Sequence, residues 1–300
     1  MEAVGAFWPE AQTDAKQMAE LGAAGYKVFG FENARIPFCL TVEAEAFGCL
    51  VDLGKVDRTP MVKKHIYTAE DTPVYPEDFL EKGRVKTVIE ATKLLKQQYG
   101  DELPIVVGTT GPLTIAGHLV GTENLLLMMI TDPDAVHKFI KVAAEMEKKY
   151  LQALVAAGAD VIAMSDPSAS TDMLSGEMFD EFAKPYTKTA WEGAEGALKI
   201  LHICGDTTIL LDHMIDTGAD ALSIEEKVNP HRAVELVAGR AALVGNMGVV
   251  RPLLQGTPEE CREHALDIKN AGFNVVAPGC GLAARVPKAN IEAMVKAIKG

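Results

Sequence analysis

A chain of 300 residues with 48% apolar and 24% charged side chains has the makeup of a globular protein with a sizeable core, which excludes intrinsic disorder and fibrous repeats. Its net charge of -13 argues against broad electrostatic attraction to nucleic acid or to an anionic membrane surface. Five cysteines, an odd count in a chain this long, suit a reducing cytoplasm where thiols are ligands or core filler, and do not form a disulfide framework.

The N-terminal stretch MEAVGAFWPEAQTDAKQMAE has early acids and no basic segment leading into an apolar one, so no secretory signal is predicted. The most apolar run, residues 125–130, is far shorter than the ~20 residues a membrane span requires. The expectation is a soluble cytoplasmic protein with a single domain over 1–300. In chain order, short β-branched apolar runs predict strands at 34–38, 104–108, 160–164, 198–203, 220–225, 242–246 and 274–278. Their near-continuous apolarity predicts parallel strands covered on both faces. Helix-period segments lie at 133–157, 176–196, 258–271 and 287–299, and Thr257 ahead of Pro258-Glu259-Glu260 is a helix-start signal. Gly158, Gly218 and Gly272, each just before a strand, mark helix ends. Such alternation leaves a doubly wound sheet or a (β/α)8 barrel. No G-x-G-x-x-G follows the first strand, so the predicted fold is the barrel, with seven of its eight strands evident.

The sharpest local pattern is Leu201-His202-Ile203-Cys204-Gly205 at the end of a predicted strand. A histidine and a cysteine two residues apart point to one side of a strand, and imidazole with thiolate makes a good zinc pair. A barrel gathers strand C-termini around one mouth, so a third ligand is expected from another strand end. Cys280, in Ala277-Pro278-Gly279-Cys280-Gly281, qualifies, and its flanking glycines let the backbone approach an ion. A carboxylate of Ser223-Ile224-Glu225-Glu226 is a candidate fourth ligand. Three protein ligands and one exchangeable position make a catalytic zinc; buried filler is the alternative reading of the same side chains. Asp166 follows its strand at the usual place of a barrel's functional carboxylate, with a helix cap or turn as its alternative. Asn246, ending its strand, is a similar candidate. Cys39, Cys49 and Cys261 read as packing residues.

Several of these segments resemble a known family. Gly111-Pro112-Leu113-Thr114, Leu243-Val244-Gly245-Asn246 followed by Gly256-Thr257-Pro258-Glu259-Glu260, and Pro278-Gly279-Cys280-Gly281 resemble the uroporphyrinogen decarboxylase superfamily. Within it, His202-Ile203-Cys204 with Cys280, together with Trp8-Pro9-Glu10-Ala11 and Arg35-Ile36-Pro37-Phe38-Cys39-Leu40-Thr41-Val42, resembles the methylcobamide:coenzyme M methyltransferases over essentially the whole chain. The resemblance implies a (β/α)8 barrel with zinc at its C-terminal mouth, bound by His202, Cys204 and Cys280. It adds a glutamate whose spacing from the H-x-C matches Glu226 better than Glu225. It implies transfer of a methyl group from a methylcobamide, brought by a cognate corrinoid protein, to the thiol of coenzyme M. Tetrahydrofolate or another thiol is the alternative acceptor, and a non-catalytic corrinoid-binding relative is the alternative role. Asp166 and Asn246 are candidates to orient the thiol or the corrinoid. Arg35 and Arg285 are candidates to bind a sulfonate or carboxylate tail, with surface ion pairs as their alternative. Family members carry further residues before the Trp8-Pro9-Glu10 region, including the first barrel strand, so the barrel is expected without that strand. The decarboxylase activity itself is disfavoured, for want of basic groups to hold many substrate carboxylates.

Overall fold

All seven expected strands form, and they pair in sequence order into one parallel sheet in the computed structural model, which describes residues 1–300. They are β1 (Ala34–Ile36), β4 (Ile105–Thr110), β5 (Val161–Ser165), β6 (Leu198–His202), β7 (Ala221–Ile224), β8 (Ala242–Met247) and β9 (Val275–Pro278). The remaining two, β2 (Leu50–Asp52) and β3 (Met61–Lys64), make a separate antiparallel hairpin in the long connection after β1. Each parallel strand is followed by helix, which is the (β/α)8-barrel pattern with seven strands present. β1 and β9 are hydrogen-bonded on one side only, so the sheet curls without closing.

Period-two alternation sorts the side chains onto two faces. The outer set, including Ile36, Ile105, Val107, Ile162, Leu201, Leu222 and Ile224, is fully buried against the surrounding helices. The inner set lies in register rows: Arg35 pairs with Val106, Val106 with Val161, and Val161 with Leu198. Leu198 is 60% exposed and Val275 49%. The expectation of strands covered on both faces therefore holds for the outer face alone, because no strand closes β9 back onto β1.

The helices follow their caps. Pro133–Ala157 starts at Asp132, whose side chain accepts from the Ala135 amide, and ends at Gly158 in the left-handed conformation. Pro258–Ala271 starts with a complete capping box between Thr257 and Glu260. The segment expected as one helix over 176–196 is two, Gly176–Phe182 and Lys184–Trp191. Pro185 has no amide hydrogen to continue the first helix, so it sits in the first turn of a second. No single helix is long and apolar enough to cross a membrane.

Candidate metal centre

His202 is the last residue of β6, in register with Ser165 on β5 and Ser223 on β7, and its side chain faces inward. Cys204 lies two residues on, at the start of the loop after β6, and Cys280 lies just beyond the end of β9. The curl of the sheet brings the three together: their ligating atoms all lie within 4.8 Å of one another. The Cys204 sulfur is 3.4 Å from His202 Nε2 and 3.9 Å from the Cys280 sulfur. A tetrahedral zinc ion with Zn–S of ~2.3 Å and Zn–N of ~2.0–2.1 Å would space its sulfurs about 3.8 Å apart, and sulfur from nitrogen about 3.5 Å. Both distances match, so the donor set fits zinc in softness and in spacing.

The surroundings prepare these atoms. His202 Nδ1 lies 3.1 Å from both the backbone oxygen and the hydroxyl of Ser223. A carbonyl oxygen can only accept, so Nδ1 carries the proton and Nε2 is left with its lone pair toward the sulfurs. The hydrogen bond with Cys204 holds the Cys280 thiol down to about 4. The same hydrogen bond, followed by burial, pushes the Cys204 thiol upward. The two sulfurs, 3.9 Å apart, are placed to share one proton, which either can donate.

Two adjacent glutamates follow β7. Ser223 faces inward opposite His202, so Glu225, two residues later, falls on that side, and its charge is among the influences that raise the Cys204 thiol. The Glu226 stem packs over Gly248 and its carboxylate reaches Gly279, the residue before Cys280. Neither Glu226, the expected fourth ligand, nor Glu225 is among the three side chains whose ligating atoms gather within 4.8 Å; both glutamates lie beside Gly279. Ser223 as the partner of His202 was not singled out from the sequence, which offered both Glu225 and Glu226 as the candidate carboxylate. The signal was available in the two-residue period, but only once β6 and β7 are known to pair. Gly279 is needed here, because a Cβ on it would lie 3.1 Å from the Glu225 Cα and from Glu226 Oε2. Glycine lets the backbone carrying Cys280 come this close to the turn after β7.

Other candidates fall elsewhere. Asp166 is 1% exposed, and its carboxylate accepts from the amides of Leu113 (3.3 Å) and Thr114 (2.9 Å) and from the Thr114 hydroxyl (2.6 Å). It caps the helix Pro112–Val120 from a neighbouring strand and does not open to the mouth. Gly111 makes this capping feasible, since a Cβ there would collide with the Asp166 carboxylate. Burial raises the Asp166 pKa from 3.8 to about 6 against the lowering effect of those hydrogen bonds. Asn246 is likewise 1% exposed and faces backbone carbonyls, not open space. Arg285 is a surface residue paired with Asp57 at 2.6 Å. Arg35 is exposed on β1 and projects over Gly108 into the open inner face. Cys39 is half-buried, with its sulfur 3.1 Å from Nη1 of the buried Arg84, while Cys49 and Cys261 are packed away.

The uroporphyrinogen decarboxylase (URO-D) family model matches residues 1–300. The chain belongs to the uroporphyrinogen decarboxylase family. It is 38% identical to the methylcobamide:CoM methyltransferase MtbA of Methanosarcina mazei, over 100% of this chain and 88% of that protein. It is 37% identical to the methylcobamide:CoM methyltransferase MtaA of Methanosarcina barkeri, over 99% of this chain and 88% of the relative. A solved methyltransferase from Methanosarcina mazei superposes with a TM-score of 0.95 at 38% identity, covering 99% of this chain and 88% of that one. These relatives place the chain in the methylcobamide:CoM methyltransferase group of the family.

Proposed function

We propose that this protein is a zinc-dependent methyltransferase that moves a methyl group from a methylated corrinoid to the thiol of coenzyme M. The observation that carries the reading is the spacing of His202 Nε2 and the Cys204 and Cys280 sulfurs, which is that of three ligands of one tetrahedral ion. Those three residues hold the metal, and Glu225, whose charge acts on Cys204, supplies the fourth donor. Zinc, when bound there, stabilises a thiolate that a free thiol of pKa ~8.5 scarcely forms at neutral pH. In the overall reaction a carbon–sulfur bond forms as the methyl–cobalt bond breaks. The electron pair stays on cobalt, taking Co(III) to Co(I), and the thiol proton is released.

The chain's own residues set up that transfer. Ser223 fixes the tautomer and orientation of His202. Arg35, reaching into the inner face from β1, is placed to take the sulfonate of the acceptor. Asp166, Asn246 and Arg285 are left without contact to the substrate. The loops around the mouth carry exposed apolar side chains, among them Val56, Ile209 and Val250, which suit the docking of a corrinoid protein over the centre.

The test is metal content and turnover together. Wild type is expected to hold one zinc per chain, and His202→Ala, Cys204→Ala and Cys280→Ala each to lose it. Wild type consumes methylcobalamin when coenzyme M is added, and far more slowly with homocysteine or tetrahydrofolate. Full zinc retention in all three variants refutes the site, and stoichiometric zinc without coenzyme M-dependent demethylation refutes the activity.

A further inference from the structure

Asn246 is a buried carboxamide near the centre that the proposed chemistry leaves without a role. Its Nδ2 donates to the backbone oxygens of Glu225 (3.0 Å) and Val228 (2.8 Å), the two ends of the turn that follows β7. Both contacts are carbonyls, so the amide orientation is unambiguous: only the nitrogen can face them. The Oδ1 on the other side is buried without a partner.

The position of this residue in the sheet gives the contact its meaning. The β7–β8 ladder ends at the pair Ile224–Gly245. The next residue on each strand is Glu225 and Asn246, and there the side chain of Asn246 supplies the hydrogen bond that the backbone ladder no longer makes. On its other flank, Asn246 stays in register with Ala277 on β9, three residues before Cys280. One residue therefore links the turn that presents Glu225, through its side chain, to the strand that delivers Cys280, through its backbone ladder. Glu225 has no ladder pair of its own, and its backbone packs against Gly279, the residue before Cys280.

We infer that Asn246 is a positioning residue for the metal centre. It acts through the backbone oxygen of Glu225 and holds that residue in place for the Cys204–Cys280 pair before the ion binds. This rests on the zinc reading above. A group that fixes a ligand in this way typically changes metal affinity by about 10–100-fold when removed.

The experiment compares wild type, Glu225→Ala, Asn246→Ala and the double variant. Zn2+ affinity is measured by chelator competition, and the ligand field is read from the visible spectrum of the Co2+-loaded chain. Each single variant is expected to weaken Zn2+ binding by about 10-fold or more and to shift the Co2+ bands in the same sense. The double variant is expected to bind no more weakly than Glu225→Ala. Asn246→Leu removes both donations at nearly constant volume without adding charge and should match Asn246→Ala; it is the variant read where alanine does not fold. Wild-type affinity and bands in the Asn246 variants would overturn the inference. So would a further loss from Asn246→Ala of equal size in the Glu225→Ala background, since a merely structural role gives that result. A wild type that takes up no Zn2+ overturns the proposed function and this inference together, so that measurement separates the two failures.

Discussion

Replacing Asp166 with asparagine separates a buried helix cap from a catalytic carboxylate. The folded protein binds the Asp166 proton more tightly than the unfolded chain does, since burial raises its pKa from 3.8 to about 6. Stability from this group is therefore fully present below pH ~4 and is lost as pH rises through about 6. Each pH unit between the two pKa values is worth about 1.4 kcal/mol, so the total loss is about 3 kcal/mol. A carboxamide cannot titrate, and Asp166→Asn should remove this slope. The substitution should also cost about 1 kcal/mol at every pH, because an NH2 group cannot accept from the Leu113 amide as Asp166 Oδ2 does. Urea denaturation of both proteins between pH 4 and 7.5 measures the difference. It should move by about 3 kcal/mol in favour of the variant across that range, while coenzyme M-dependent demethylation at pH 7 stays within a few-fold of wild type. A difference that is flat with pH would refute the buried-cap assignment. A folded, stable Asp166→Asn protein without activity would return Asp166 to the chemistry.

Glu147 is fully buried without a hydrogen-bond partner, and burial first, then the charge of Glu43, raises its pKa well above the ordinary value. Its stabilising contribution is present at low pH and lost as pH rises, so Glu147→Gln should melt progressively higher than wild type between pH 6 and 8.5. Arg84 is buried and donates to Glu45, the Cys39 sulfur, and the carbonyl and hydroxyl of Thr41. Arg84→Leu should lose about 3 kcal/mol in urea denaturation, and Arg84→Lys should recover little of it, because an ammonium cannot reproduce the planar fork. Thr257→Ala breaks a capping box and should cost about 1 kcal/mol, read as a lower thermal midpoint. Arg35→Leu should raise the KM for coenzyme M with little change in kcat, and leave a neutral thiol such as 2-mercaptoethanol unaffected.

The strands were legible because each is apolar on both faces, and the helices over 133–157 and 258–271 because caps and end glycines bracket them. Other features depend on information that no local window contains. The hairpin of β2 and β3 escaped because its strands are short and largely exposed, so they carry no core-facing alternation. Asp166 looked like a mouth carboxylate because its partners, Leu113 and Thr114, lie some fifty residues earlier, and only the pairing of β4 with β5 brings them to it. Pro185 did mark the break in the 176–196 segment, but the apolar period runs through it and outweighed the missing amide.

At the metal centre, family spacing favours Glu226, while the pairing of β6 with β7 favours Glu225. The two-residue rule that puts His202 and Cys204 on one side of β6 applies equally to Ser223 and Glu225 on β7. Ser223 pairs with His202, so continued alternation gives the inward side to the residue two steps beyond it, Glu225. Counting residues from the H-x-C spans the loop, helix and turn between β6 and β7, where one inserted or deleted residue shifts the count by one. That shift exchanges the two faces of a strand. Alternation counted from a paired residue crosses no loop and is immune to this error. A carboxylate is therefore assigned more securely from the strand partner of its neighbour than from its distance along the chain to another ligand.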